Sequence, residues 1–225
     1  MNDNYKWNGV TFNSKGIVIE EVPIVPKAKK IFTNYNIPGK SGYTSIDSKT
    51  YDSIPFTLKC HFKDGVGNRE EIAAWLDGYG TLQIDGEKEY KGQISNTIPF
   101  EKVISFRKFP VQFLLQPIAQ AVTPTIISST SSTTFVSDTY TDSFPIIRVT
   151  GSGTITINLN GIQFSIYNAS GEYVLDCGAK VITNSGVNAS NSMSGDFPKV
   201  ITGSNALTVT GTVTALTIEY KKSYL

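Results

Sequence analysis

Asn160-Gly161 stands between two alternating runs, "TITINL" and "IQFSIY". Asn and Gly reach left-handed backbone at the least cost, and the two-residue turn they make has the twist of the strands it joins. The chain must therefore reverse here as a β-hairpin. The same grammar repeats around it. "FPIIRVT", "EYVLDCG", "AKVIT", "ALTVTG" and "VTALTIEY" are short apolar-polar runs, with "GSG" and other turn formers between them. Short strands at close spacing, with no long helical pattern in competition, predict a sandwich or barrel.

The first half reads as strands with one helix. In "IPFTLKCHF", Ile54, Phe56, Leu58, Cys60 and Phe62 face one way, and Pro55, Thr57, Lys59 and His61 the other. That is the period of a half-buried strand. Cys60 is then a small core residue and His61 sits on the polar face. "NREEIAAWLDGYG" predicts a helix, with Asn68 and Glu71 as a capping box. Ile72, Trp75, Leu76 and Tyr79 recur on one face, and Gly78 and Gly80 mark the exit. "TLQID" and "EYKGQI" read as strands joined through Asp85-Gly86. "KVISFRKFPVQFLLQP" is a long extended run in which Pro110 argues for an edge or a bulge. Its stretch from Phe106 to Leu115 reads as a long strand with an exposed edge. "PKAKK" (Pro26 to Lys30) reads as a solvated charge run.

Composition changes at "AVTPTIISSTSSTTFVSDTYTDSF", residues 121–144, where Ser and Thr dominate. It reads as a linker or extended arm and divides the chain into domains 1–120 and 121–225. Ile126, Ile127, Phe135 and Tyr140 indicate that parts of it pack as strand.

Chemistry is sparse. The 225 residues are 40% hydrophobic and 17% charged, with a formal net charge of +1. That supports a real core and excludes both a disordered chain and a global attraction to nucleic acid. The two cysteines, Cys60 and Cys177, stand in no zinc-binding pattern. No P-loop, nucleophile-elbow, zincin or dinucleotide motif occurs, and the one histidine, His61, has no nucleophile or orienting partner at motif spacing. Asp196, a loop Asp beside Gly, reads as a turn former. The expectation is no catalytic residue, no metal, no cofactor and no enzyme. The start lacks a signal-peptide pattern, and no apolar run approaches the roughly 20 residues of a membrane span. Synthesis in a reducing cytoplasm with free thiols is expected.

Several stretches are recognisable together: "WNGVTFNSKGIVIEEV", "IPGKSGYTSIDSKTYDSIPFTLKCHF", "AAWLDGYGTLQI", "FPIIRVTGSGTITINLNG" and "NSMSGDFPKVITGSNALTVTGTVTALTIEYKKSYL". They cover nearly the whole chain, which resembles the phage distal tail proteins, the baseplate hubs of long-tailed, non-contractile phages of Gram-positive bacteria. Family members often carry Arg where this chain has Lys40, and many end in an Arg-Trp-Arg-like pattern where this one ends "KKSYL". The resemblance implies a mainly β fold, with a β-rich ring domain carrying one helix and a galectin-like β-sandwich after it. It implies a homo-hexameric hub at the virion tail tip, made in the host cytoplasm from a phage or prophage. Its partners would be the tail-tube protein, the tail-tip protein and receptor-binding proteins, with no sequence-specific nucleic acid and no membrane insertion. Pro38, Gly39, Lys40 and Gly42 correspond to the ring-domain turn.

Met193, Gly195, Asp196, Phe197 and Pro198 belong to the family-like ending. They are expected to form a structural clasp, with Met193 and Phe197 folded back over one end of the sandwich. A carbohydrate-binding module for cell-wall glycan is the alternative function. It would need exposed aromatic faces, for which the second half offers Tyr140, Tyr167 and Tyr173 and no Trp.

Overall fold

The computed structural model describes residues 4–21, 24–63, 69–98 and 108–225. Asn68, Phe106 and the rest of the extended run before Lys108 lie outside the described residues. The chain forms two compact units that divide between Ala119 and Gln120.

In the first unit the strands are β1 (Lys6–Trp7), β2 (Val10–Thr11), β3 (Ile17–Ile19), β4 (Lys30–Tyr35), β5 (Thr44–Tyr51) and β6 (Ile54–Phe62). Helix α1 (Arg69–Trp75) follows, then β7 (Tyr79–Ile84), β8 (Lys88–Ile94) and β9 (Lys108–Leu115). An antiparallel sheet runs in the order β2-β1-β7-β8-β9-β6-β3. The alternation of β6 holds residue by residue, with Ile54, Phe56, Leu58, Cys60 and Phe62 buried. They share a core with Trp7, Phe12, Ile72, Leu76, Leu82, Phe109 and Phe113.

Trp7 and Trp75 are locked reciprocally. The Trp7 indole N–H donates to the Trp75 carbonyl at 3.1 Å, and the Trp75 indole donates to the Trp7 carbonyl at 3.2 Å. Phe12 packs edge-on to Trp75 with ring centroids 5.0 Å apart. An aromatic pair of this geometry adds to the area it buries.

Two readings of this half change. The helix ends at Trp75, so Tyr79 opens β7 and is exposed instead of lying on the helix face. Gly78, in left-handed backbone at φ 70°, has already turned the chain. Gly80 then lies within β7. The described part of the run to Leu115 is an edge only in part: Phe113 to Leu115 lie between β6 and β8, while Lys108 to Gln112 have β6 as their one strand partner. Pro110 is tolerated because β8 ends at Ile94, opposite Phe113. Beyond that point the Asn96 side chain takes the place of a strand. It donates to the Pro110 carbonyl at 3.0 Å and accepts from the Gln112 N–H at 2.8 Å.

Strand β10 (Ala119–Ala121) runs across the division of the chain. The second unit continues with β11 (Thr125–Ser128), β12 (Thr133–Ser137), β13 (Ile146–Leu159), β14 (Ile162–Asp176) and β15 (Val181–Asn184). It ends with β16 (Val187–Asn188), β17 (Met193–Gly195), β18 (Gly203–Tyr220) and β19 (Ser223–Tyr224). The Asn160-Gly161 hairpin forms as expected, with φ 57° and 84°, between Leu159 and Ile162. The Ser/Thr-rich segment is not a linker. It supplies β11 and β12, both paired to β18. Ile127 and Phe135 pack on the core, which outweighs the polar composition.

The other correction concerns the glycines. "GSG" does not separate two strands; Gly151 and Gly153 lie within the 14-residue β13. Likewise Gly171 lies within β14, and Gly211 within the 18-residue β18. The register between β13 and β18 shifts at Thr150–Gly151 and again between Ser152 and Thr156. These are bulges, and they bend long strands. Along β18 the inward positions are odd as far as Val213 (Asn205, Leu207, Val209, Val213) and even from Leu216 (Leu216, Ile218, Tyr220), and the change falls where Thr150 pairs with Ala215 and Gly151 with Val213. The first half of β18 pairs with β12 and the second with β11, while both halves bury side chains in one core.

Candidate assembly interface

Strands β4 and β5 form a two-stranded sheet of their own. Pro38, Gly39, Lys40 and Gly42, the sequence-predicted turn, are the tip of this hairpin. Gly39 and Gly42 sit at φ 81° and 84°, a region that L side chains rarely enter. The Lys40 N–H closes the turn on the Ile37 carbonyl at 3.1 Å, and its Nζ donates to Thr44 Oγ1 at 3.1 Å.

The register pairs Thr33 with Ile46 and Tyr35 with Thr44 on one face, and Phe32 with Asp47 and Asn34 with Ser45 on the other. Apolar groups stand in solvent on both faces and at the tip. Tyr43 is 63% exposed, Ile46 56%, Tyr35 52% and Phe32 51%. On the second face Lys30 Nζ lies 2.5 Å from Asp47 and 5.8 Å from the Phe32 ring centre. That hydrogen bond holds the Asp47 carboxyl below its usual range and raises Lys30. The charges of Lys30 and Asp47 are thus paired with each other. A lone hairpin is marginal in water, and clustered exposed apolar residues mark a surface that another molecule covers. No sequence motif flags Phe32, Tyr35, Tyr43 and Ile46, which become a group only when the hairpin register is known.

The clasp residues lie in the second unit. Met193 and Phe197 are half-buried and pack on its core, and Pro198 is buried. Met193 belongs to an edge strand, β17, paired with Ile166 of β14, and not to a loop folded back over the sandwich. Gly195, at φ 105°, passes so close that a Cβ would stand 2.3 Å from the Gln163 carbonyl oxygen. Asp196 is exposed and donates its N–H to the same carbonyl at 3.1 Å. Sequence reading missed the polar centre beside it. Asn205 is fully buried and accepts from the Asn160 side chain at 2.7 Å and the Ile201 N–H at 2.9 Å. It donates to the Ile201 and Gly203 carbonyls, both at 2.9 Å. The early sign was that Asn205 directly precedes the run "ALTVTG", in phase with Leu207 and Val209.

Among the described residues no group of three or more His, Cys, Asp or Glu side chains could hold a metal ion. His61 Nδ1 lies 3.4 Å from Glu20, whose carboxylate accepts from Lys108 at 2.8 Å and is held below its usual pKa range by that bond. Of the three tyrosines that a sugar site would draw on, Tyr173 is buried. Tyr140 is exposed, but Lys222 Nζ lies 5.1 Å from its ring centre.

No protein-family model matches the sequence, and no curated protein matches it. Among solved structures, the crystal structure of SPP1 Dit (gp 19.1) matches with a TM-score of 0.77. The match covers 99% of both chains at 15% identity. The chain has a Dit-like fold. That structure is described as a paradigm of the hub adsorption apparatus in phages that infect Gram-positive bacteria. A Dit-like fold at this identity is physically reasonable, because patterning and total core volume specify a fold more tightly than residue identity does.

Proposed function

We propose that this chain is a phage or prophage distal tail protein: a structural hub, and not an enzyme. Its first unit assembles six copies into a ring between tail tube and tail tip, and the assembly carries receptor-binding proteins. The observation that carries this reading is the β4–β5 arm, a hairpin with exposed apolar residues on both faces and at its tip. Such an arm is suited to a neighbouring subunit. Contacts of that kind are head-to-tail, and they make a ring when the rotation closes. The Dit-like fold supports the same reading.

Light scattering with negative-stain imaging of the full chain tests it. The expected particle is a hexamer with a central hole. A Tyr35→Asp, Ile46→Asp double variant is expected to form no ring, at an unchanged melting temperature, since neither side chain is in the core. Rings that survive this double variant, or a parent chain that stays monomeric at every concentration, would count against the reading.

The stretch from Met193 to Pro198 is proposed as a structural clasp, with no ligand of its own. It adds a strand to the sandwich and seats Met193 and Phe197 at the margin of the core.

A further inference from the structure

Four strands have a single partner at the margins of the second unit's sheet, among the described residues: β11, β12, β16 and β17. An open strand edge is a template for another strand, and proteins blunt such edges with Pro, charge, brevity or bulges. Three of the four are blunted. Pro124 directly precedes β11. Strand β16 has two residues. Strand β17 has three, ends on the left-handed Gly195, and is followed by Asp196 and Pro198. Strand β12, "TTFVS", has none of these devices within it, and Asp138, which directly follows it, is paired with Lys222 at 2.5 Å. It has five residues, no charge and no Pro, and Val136 is 79% exposed.

We propose that β12 pairs antiparallel with β12 of a second copy of this chain. Residues directly opposite in an antiparallel pair share a face. The register that pairs the whole strand with its copy therefore centres on Phe135, with Thr133 opposite Ser137 and Thr134 opposite Val136. On the outward face, exposed Val136 meets Thr134, a β-branched pair. On the inward face, Phe135 meets the partner's Phe135. This ring is only half-buried, at the margin of the core, with its centre 6.2 Å from that of Tyr220. Pairing continues the apolar core across the two-fold axis. Aromatic and β-branched cross-strand pairs are favourable, and no like charges oppose the approach. The contact is isologous and closes with two chains. It is separate from the head-to-tail ring proposed above and does not rest on it.

Sedimentation of the full chain over a concentration series tests this, in the parent and in the Tyr35→Asp, Ile46→Asp background. Mass is expected to double with concentration in both. Val136→Lys and Thr134→Lys, each at an exposed site, are expected to abolish the doubling while any ring mass stays unchanged. A Thr134→Cys, Val136→Cys chain is expected to oxidise to a covalent dimer, and Thr134→Cys alone is not. Absence of doubling overturns the proposal, as does doubling that both lysine variants leave intact. If a lysine variant lowers the melting temperature, the cysteine pair decides, and failure of that chain to cross-link overturns the proposal.

Discussion

Asn205 shows what a single buried polar side chain does in this fold. It joins the Asn160-Gly161 turn to the segment before β18, and all of its amide hydrogen bonds are made inside the protein. Asn205→Leu keeps the branched shape, in a somewhat larger side chain, but strands the Ile201 N–H and two carbonyls. Each unmet group costs about 1–3 kcal/mol, so a loss of about 3 kcal/mol or more is expected by urea titration. Phe197→Ala removes a half-buried ring, and its expected cost is about 2 kcal/mol, roughly half that of a fully buried phenylalanine. An unchanged midpoint in Phe197→Ala would remove the clasp.

The two buried thiols make a residue-scale prediction about pH. Burial pushes Cys60 and Cys177 up to about 12 from an ordinary 9.0. Between those values the unfolded chain has lost protons that the folded chain keeps. The stability the thiols contribute is thus complete below pH 9 and lost as pH rises toward 12. A Cys60→Ala, Cys177→Ala chain is expected to show a shallower fall in urea midpoint above pH 9 than the parent. Parallel curves would mean that the thiols are not buried as described.

At the scale of elements, the long strands depend on glycine where they bend. At Gly211, φ is 100° and a Cβ would lie 2.3 Å from the Thr154 carbonyl oxygen, while at Gly171 nothing stands within 4 Å. Gly211→Ala must strain the backbone and also push two strands apart, so at least about 2 kcal/mol is expected. Gly171→Ala carries the backbone strain alone, about 1 kcal/mol. Thermal melts of the two variants should keep that order. From sequence these glycines look like turn formers, because alternation on either side of a bulge is the same as alternation on either side of a turn. Asn160-Gly161 is distinguished by two consecutive residues that tolerate left-handed backbone, whereas Gly211 stands inside a run whose inward positions stay odd from Asn205 to Val213. The helix was legible through Ile72 and Leu76, but its end was not, since Tyr79 keeps helical spacing by coincidence.

For the whole molecule, two separate cores imply two separable responses. Phe113→Ala empties space in the first and Phe164→Ala in the second, each at about 3–5 kcal/mol. Calorimetry should show each variant shifting a different part of the heat-absorption profile. A shift of the entire profile by either one would mean that the units unfold as one.

What the sequence determined by itself is the inward and outward sense of a regular strand such as β6, the Asn160-Gly161 reversal and the burial of Cys60. Each follows from local periodicity or from a residue type with few conformations open to it. Tertiary structure decided the rest. Whether a glycine bends a strand or ends it depends on whether the partner strand continues alongside. Whether a Ser/Thr run is linker or edge depends on whether β18 offers it hydrogen bonds and a place for Phe135. The arm's exposed side chains form a group only through cross-strand register, which joins residues that are distant along the chain.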